Sequence, residues 1–191
     1  MGVGLLLGAC GDDGGAPSDA TYPSDIKTDD APIDAAPQLS LTSTAYADGA
    51  AIPLDHVCTE RGGTNRSPPL AWSDVPAGTM SFAIVFTDLN NGLVHSAIYD
   101  IPGTLRSIPG DVEKLYAPPS VPGAHQVRAW TNVRGYEGPC PNQPSMYEHK
   151  IYALATETVP DATMDTMRPQ LVAELETNNL GTGALVGTFA P

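Results

Sequence analysis

The sequence predicts an all-β domain, an antiparallel sandwich carrying one short helix. Three observations predict it. Gly and Pro number 19 each among 191 residues, which suits a chain of short strands and many turns better than a helical bundle. Short β-like runs recur with turn clusters between them. Only one stretch has helical spacing.

The strands can be taken in order. Leu39-Ser40-Leu41-Thr42-Ser43 alternates, and Ser81-Phe82-Ala83-Ile84-Val85-Phe86 is read as alternating too, large side chains at Phe82, Ile84 and Phe86 with smaller ones between. Leu93–Tyr99 and Tyr147–Leu154 are further β-like runs, and Ala184–Phe189 supplies a last strand. The turn clusters are Ala47-Asp48-Gly49, Pro76-Ala77-Gly78, Asn90-Asn91-Gly92 and Ile108-Pro109-Gly110-Asp111. The helical stretch runs from Thr163 to Thr177, with Met164, Met167, Leu171 and Leu175 at spacings of three and four. Asp161 is the candidate cap, and Asn178-Asn179 and Gly181 end the helix.

Charge divides the chain. The formal net charge is −13. Residues 11–37 hold seven Asp against Lys27, a net of −6 in a segment of Asp, Ala, Pro, Gly and Ser. Such a segment has too little apolar surface to offset its ordering entropy and is expected to be a disordered linker. Residues 38–191 form the domain. Lys and Arg total 9 and do not cluster along the sequence, which argues against a nucleic-acid partner. No apolar run reaches the ~20 residues of a membrane-spanning helix.

Residues 1–10 read as a lipoprotein-type signal segment. Leu7-Gly8-Ala9-Cys10 resembles a bacterial lipobox, which makes Cys10 the expected lipidation site. The apolar run is short and no basic residue precedes it, both departures from a complete signal. An anchor at Cys10, an acidic tether and a folded domain together imply a lipid-anchored protein of the bacterial cell envelope. Gly11 after the Cys leans toward the outer membrane or the periplasmic face.

Three segments are distinctive in combination. The first is Asn65-Arg66-Ser67-Pro68-Pro69-Leu70-Ala71-Trp72 with Pro76-Ala77-Gly78-Thr79-Met80-Ser81-Phe82. The second is Thr87-Asp88-Leu89-Asn90 with His95 and Ile101-Pro102. The third is Gly135-Tyr136-Glu137-Gly138-Pro139-Cys140-Pro141, leading to Tyr147. Together they resemble the phosphatidylethanolamine-binding protein family, in its YbhB/YbcL-type (Raf kinase inhibitor-like) branch, over roughly residues 39–190.

The resemblance implies a Greek-key sandwich with a small pocket for phosphate, phosphorylated headgroups or carboxylates. It assigns Asp88, Asn90, His95, Pro141 and Tyr147 to that pocket. Asn90 stands where the family carries a second Asp, and Val94 replaces a bulky aromatic before the pocket His. The loop from Asn90 to His95 is shorter than usual, so the pocket is expected to be shallower. Ser145 and Met146 occupy the positions of a family His-Arg pair. Counting back along the strand selects Tyr147, and His149 is the alternative if the match slides.

The resemblance also brings Cys58 and Cys140 onto neighbouring loops. With Cys10 set aside for lipid, an even pair remains in an exported chain, and a Cys58–Cys140 disulfide is expected. The His and Cys residues have no metal-ligand spacing, and no cofactor is expected. No Gly-x-Ser-x-Gly elbow, P-loop or His-Glu-x-x-His is present. The reading is a non-enzymatic module that binds a small anion or a phospholipid headgroup. The runner-up is a protein-interaction module inhibiting a protease or a kinase. An unrecognised hydrolase using Asp88 and His95 ranks third.

Overall fold

The computed structural model describes residues 39–191. The signal segment, Cys10 and the acidic linker lie outside the described residues. Among the described residues no helix is long and apolar enough to cross a membrane.

Among the described residues, eight strands and one α-helix follow in order, with short 3-10 helices at Leu54–His56 and Thr59–Arg61 between the first two strands. The strands and the α-helix are β1 (Ser40–Thr42), β2 (Leu70–Ser73), β3 (Ser81–Asp88), β4 (Leu93–Pro102), β5 (Ser107–Ile108), β6 (His125–Gln126), β7 (Ser145–Leu154), α1 (Arg168–Thr177) and β8 (Gly181–Phe189). A five-stranded sheet has the order β6-β4-β3-β7-β8, and a three-stranded sheet the order β1-β2-β5. All the strand pairs in both are antiparallel.

β3 shows why the large sheet is central. Its residues do not alternate between buried and exposed; Ser81 through Phe86 are all buried. The pleat sends successive side chains to opposite faces. Phe82, Ile84 and Phe86 join Leu41, Leu70 and Trp72 of the small sheet in one core. Ala83 and Val85 join Tyr152, Leu171 and Leu175 in a second core, under α1. The large sheet is therefore covered on both faces. Trp72 and Phe82 meet edge to face at 5.1 Å, fixing the two sheets against each other.

α1 begins later than its spacing predicts. Met164 and Met167 are exposed, and the helix starts at Arg168. Pro169 is the reason. Proline lacks an N–H, which costs nothing in a first turn and a hydrogen bond further in. A helix from Thr163 would place Pro169 in its interior. Gln170 Oε1 instead accepts from the Met167 N–H at 3.1 Å. Asp161 is not the cap; it sits in a turn with φ +56°. Leu171 and Leu175, each 1% exposed, bury the helix on the sheet, and each contributes about 2 kcal/mol on burial.

Candidate functional site

The β3–β4 hairpin builds the first wall of the site. Asp88 ends β3, and the turn through Gly92 takes φ +72°, which glycine adopts without strain. The Asp88 carboxylate accepts the Asn90 N–H at 2.8 Å and the Asn91 Nδ2 at 3.4 Å. Asp88 thus holds its own turn.

His95 enters by an irregularity. Phe86 pairs with Ser96 and Thr87 with Val94, so His95 is the extra residue of a bulge on β4. A bulge re-aims one side chain without disturbing the rest of the strand. His95 is 3% exposed, and its ring lies 5.5 Å from each of Phe86 and Tyr147 and 6.0 Å from Trp130. Its Nδ1 is 3.1 Å from the Glu137 carbonyl. A carbonyl only accepts, so Nδ1 carries the proton and Nε2 is the nitrogen left over. Burial holds the His95 pKa below its ordinary value, against the opposing pull of that carbonyl and of Asp88.

β7 supplies Tyr147, directly opposite Asp88 in the ladder. The residue is 1% exposed, and its hydroxyl makes no hydrogen bond of good geometry among the described residues, although Ser145, Asp88 and the Cys140 backbone stand close around it. Burial, and then the Asp88 charge, push its pKa up, so the hydroxyl stays protonated.

The loop Gly135–Pro141 closes the site, and several ties hold it. Asn65 Oδ1 accepts the Gly138 N–H at 2.8 Å, and Asn65 Nδ2 donates to Glu137 at 3.1 Å. Lys114 pairs with the same Glu137 carboxylate at 3.0 Å. The Cys58–Cys140 disulfide is formed, with Cα atoms 5.4 Å apart and a sequence separation of 82. Arg61 Nε donates to the Pro141 carbonyl at 2.8 Å, and Arg61 also bonds Asn142. Among the described residues, the group with metal-ligand spacing is Cys58, Glu60 and Cys140, and the disulfide consumes both sulfurs.

The walls enclose a cleft of about 310 Å³ lined by Asp88, His95, Pro141 and Tyr147, together with Asn91, Trp130 and Ser145. Four of the five residues expected there come together. Asn90 does not line the cleft: its side-chain oxygen accepts the Met146 N–H at 3.0 Å, and its neighbour Asn91 takes the place instead. The physical reason is the turn, which spends Asn90 on tying β3 to β7. His149, the alternative to Tyr147, lies one pleat deeper. It is 3% exposed, stacked on Phe86 at 4.2 Å and bonded to the Tyr46 hydroxyl at 2.9 Å. Trp130 went unread in the sequence. Its signal was an aromatic inside the run Arg128–Arg134, and it is held at the mouth by its N–H, which donates to the His95 carbonyl at 3.3 Å.

This fold, with its cleft at one end of the central sheet, defines a β-sandwich domain with a candidate binding cleft. The sequence profile of the family Phosphatidylethanolamine-binding protein matches residues 42–190, and the chain belongs to that family, in the branch that YbcL represents. YbcL of Escherichia coli is 34% identical over 129 residues, covering 63% of this chain and 70% of YbcL. The putative lipoprotein LppC of Mycobacterium tuberculosis is 34% identical over 197 residues, covering 97% of this chain and 90% of LppC. The crystal structure of E. coli YbcL, described as a new member of the mammalian PEBP family, superposes with a TM-score of 0.73 at 29% identity, covering 81% of this chain and 99% of YbcL.

Proposed function

We propose that this domain is the non-enzymatic binding module of a lipid-anchored envelope protein, and that its cleft takes a small anionic ligand. The ligand carries a phosphate or carboxylate, as a phospholipid headgroup does. One observation carries the reading: of the two buried side-chain polar atoms that lack a well-formed hydrogen bond among the described residues, Trp72 Nε1 and the Tyr147 hydroxyl, the hydroxyl stands in the cleft beside His95. Leaving a buried hydroxyl unbonded costs about 1–3 kcal/mol, and a ligand oxygen at this place recovers it. Ser145 and Asn91 add donors to the same cleft. An arriving anion also favours protonation of His95, which turns Nε2 into a further donor.

The bonding of His95 argues against hydrolysis. In a triad a carboxylate orients the His. Here the Glu137 carbonyl bonds Nδ1, while Asp88 is spent on its own turn. The envelope reading draws support from LppC, whose similarity spans nearly the whole chain, and from a disulfide suited to an oxidising compartment.

The test is thermal stabilisation of the full chain by inorganic phosphate, phosphoethanolamine and acetate. Stabilisation by at least one of them, lost in His95→Ala and in Tyr147→Phe, is expected. Stabilisation that both variants retain, or none from any of the three, overturns the reading.

A further inference from the structure

Trp130 has one edge on the cleft and stands at the tip of a second feature. Residues 128–134 form a tight hairpin. Arg128 and Arg134 pair as an antiparallel bridge, the Ala129 N–H donates to the Val133 carbonyl at 2.6 Å, and Asn132 takes φ +69°. Every residue from Trp130 to Val133 is exposed, so the tip projects rather than forming a groove. Trp130 is 43% and Val133 44% exposed. The stretch before α1 lies alongside, with Met164 and Met167 at 53% and 64% exposure. Arginines tie the two stretches together: Arg134 donates to the Met164 carbonyl at 3.0 Å, and Arg168 to the Arg128 carbonyl at 3.2 Å.

The charge is as unusual as the exposed apolar surface. A chain of net −13 with nine basic residues places three of them here. Three of the other basic side chains pair with carboxylates, Arg66 with Asp111, Lys114 with Glu137 and Lys150 with Glu176, while Arg61 and Arg106 bond carbonyl oxygens elsewhere on the surface. Arg128, Arg134 and Arg168 bond backbone carbonyls, and among the described residues none has a carboxylate within salt-bridge distance. Asp161 and Asp165 are the acidic residues of the same stretch, so three arginines face two carboxylates and the patch keeps a net positive charge. A projecting Trp with flanking Met and Arg side chains suits a membrane–water interface, where the ring sits at headgroup level and guanidinium groups meet phosphates. A projecting tip enters a soft interface more readily than it receives a protein ligand.

We propose that this patch, Trp130 and Val133 with Arg128, Arg134 and Arg168, docks the domain on an anionic bilayer and sets the cleft mouth against the headgroups. That last consequence rests on the anion-binding reading of the cleft; the docking itself does not.

The test uses the full chain carrying Cys10→Ser, so that no anchor contributes, and vesicles of phosphatidylcholine with or without a minority of phosphatidylglycerol. Binding is expected on the anionic vesicles alone and is weakened by salt. Trp emission shifts to the blue on binding, and it reports Trp130 because Trp72 is buried. Each basic residue near such a surface is worth about fivefold in affinity. Arg128→Gln, an exposed position bonded to the Asn132 carbonyl, therefore loses about fivefold with its melting temperature unchanged. Adding Arg168→Gln extends the loss to about 25-fold. Both variants keep the stabilisation by inorganic phosphate. No vesicle binding, equal binding to both vesicle types, or binding that Arg128→Gln leaves intact overturns the docking. Vesicle binding without any phosphate stabilisation leaves the docking standing and overturns the cleft reading instead.

Discussion

Asp88 on β3 and Tyr147 on β7 stand opposite each other in the ladder, one a buried carboxylate and the other a buried hydroxyl. Their juxtaposition gives the cleft both an acceptor and a donor at its floor. It also places a negative charge where an anion is proposed to bind.

Asp88→Asn separates those two effects. Asn keeps an oxygen for the Asn90 N–H, so the turn survives. It removes a repulsion that at this range in a partly screened site amounts to roughly 1–2 kcal/mol. Phosphate affinity, measured by calorimetry, is expected to rise about tenfold. A fall would show that repulsion by Asp88 is not what limits anion affinity in this cleft.

The Cys58–Cys140 bridge closes a loop of 82 residues at the rim of the cleft. In the chain-entropy account such a closure stabilises by about 4 kcal/mol. Cys58→Ala with Cys140→Ala is therefore expected to lower the denaturant midpoint by that equivalent. The same bridge holds Pro141 at the lining, so phosphate stabilisation should weaken too. An unchanged midpoint would show that the loop is held by Arg61 and Asn65 alone.

Gly138 sits where a Cβ would lie 2.2 Å from the His56 carbonyl oxygen. Backbone cannot yield as a side-chain tip does, so Gly138→Ala must displace the loop that carries the Glu137 carbonyl to His95. A loss of about 2 kcal/mol or more is expected by thermal melting. Asn65→Ala releases the same loop by removing its bonds to Gly138 and Glu137, at about 1–3 kcal/mol.

His149 makes the fold acid-sensitive. Burial is the main cause of its pKa falling to about 3, with the charge of His56 adding to it. The unfolded chain takes up a proton on this residue below about pH 6.5 while the folded domain does not. Stability contributed by neutral His149 is complete above pH 6.5 and is lost as pH falls toward 3, by several kcal/mol across that window. His95, shifted the same way, adds to the trend. Replacing Tyr46 and His149 together by Phe removes the buried pair without orphaning either partner. The melting temperature of that variant should fall less between pH 7 and pH 4.5 than that of the parent. An identical fall would assign the acid sensitivity elsewhere.

The fold class, most of the strands and the segments that make the cleft were legible in the sequence. Periodicity, turn residues and three motifs are local properties, and a chain reports them locally. Asp88, His95 and Tyr147 were legible because each belongs to such a motif. Start of the helix at Arg168 was legible in principle too, since Pro169 carries its own constraint. Other features were decided by tertiary structure alone. Whether Asn90 or Asn91 lines the cleft depends on which side chain the turn spends on Met146. The depth of His149 depends on how far β7 runs beneath the small sheet. The two-sided burial of β3, which turns an apparently alternating strand into a continuous apolar one, needs the helix on one face and the small sheet on the other. Arg128, Trp130 and Arg134 are neighbours in sequence, but their hairpin reaches the cleft mouth through the His95 carbonyl of β4, and Arg168 joins it from the start of α1. Contacts of that kind are set by packing between distant segments, and no window of sequence contains both partners.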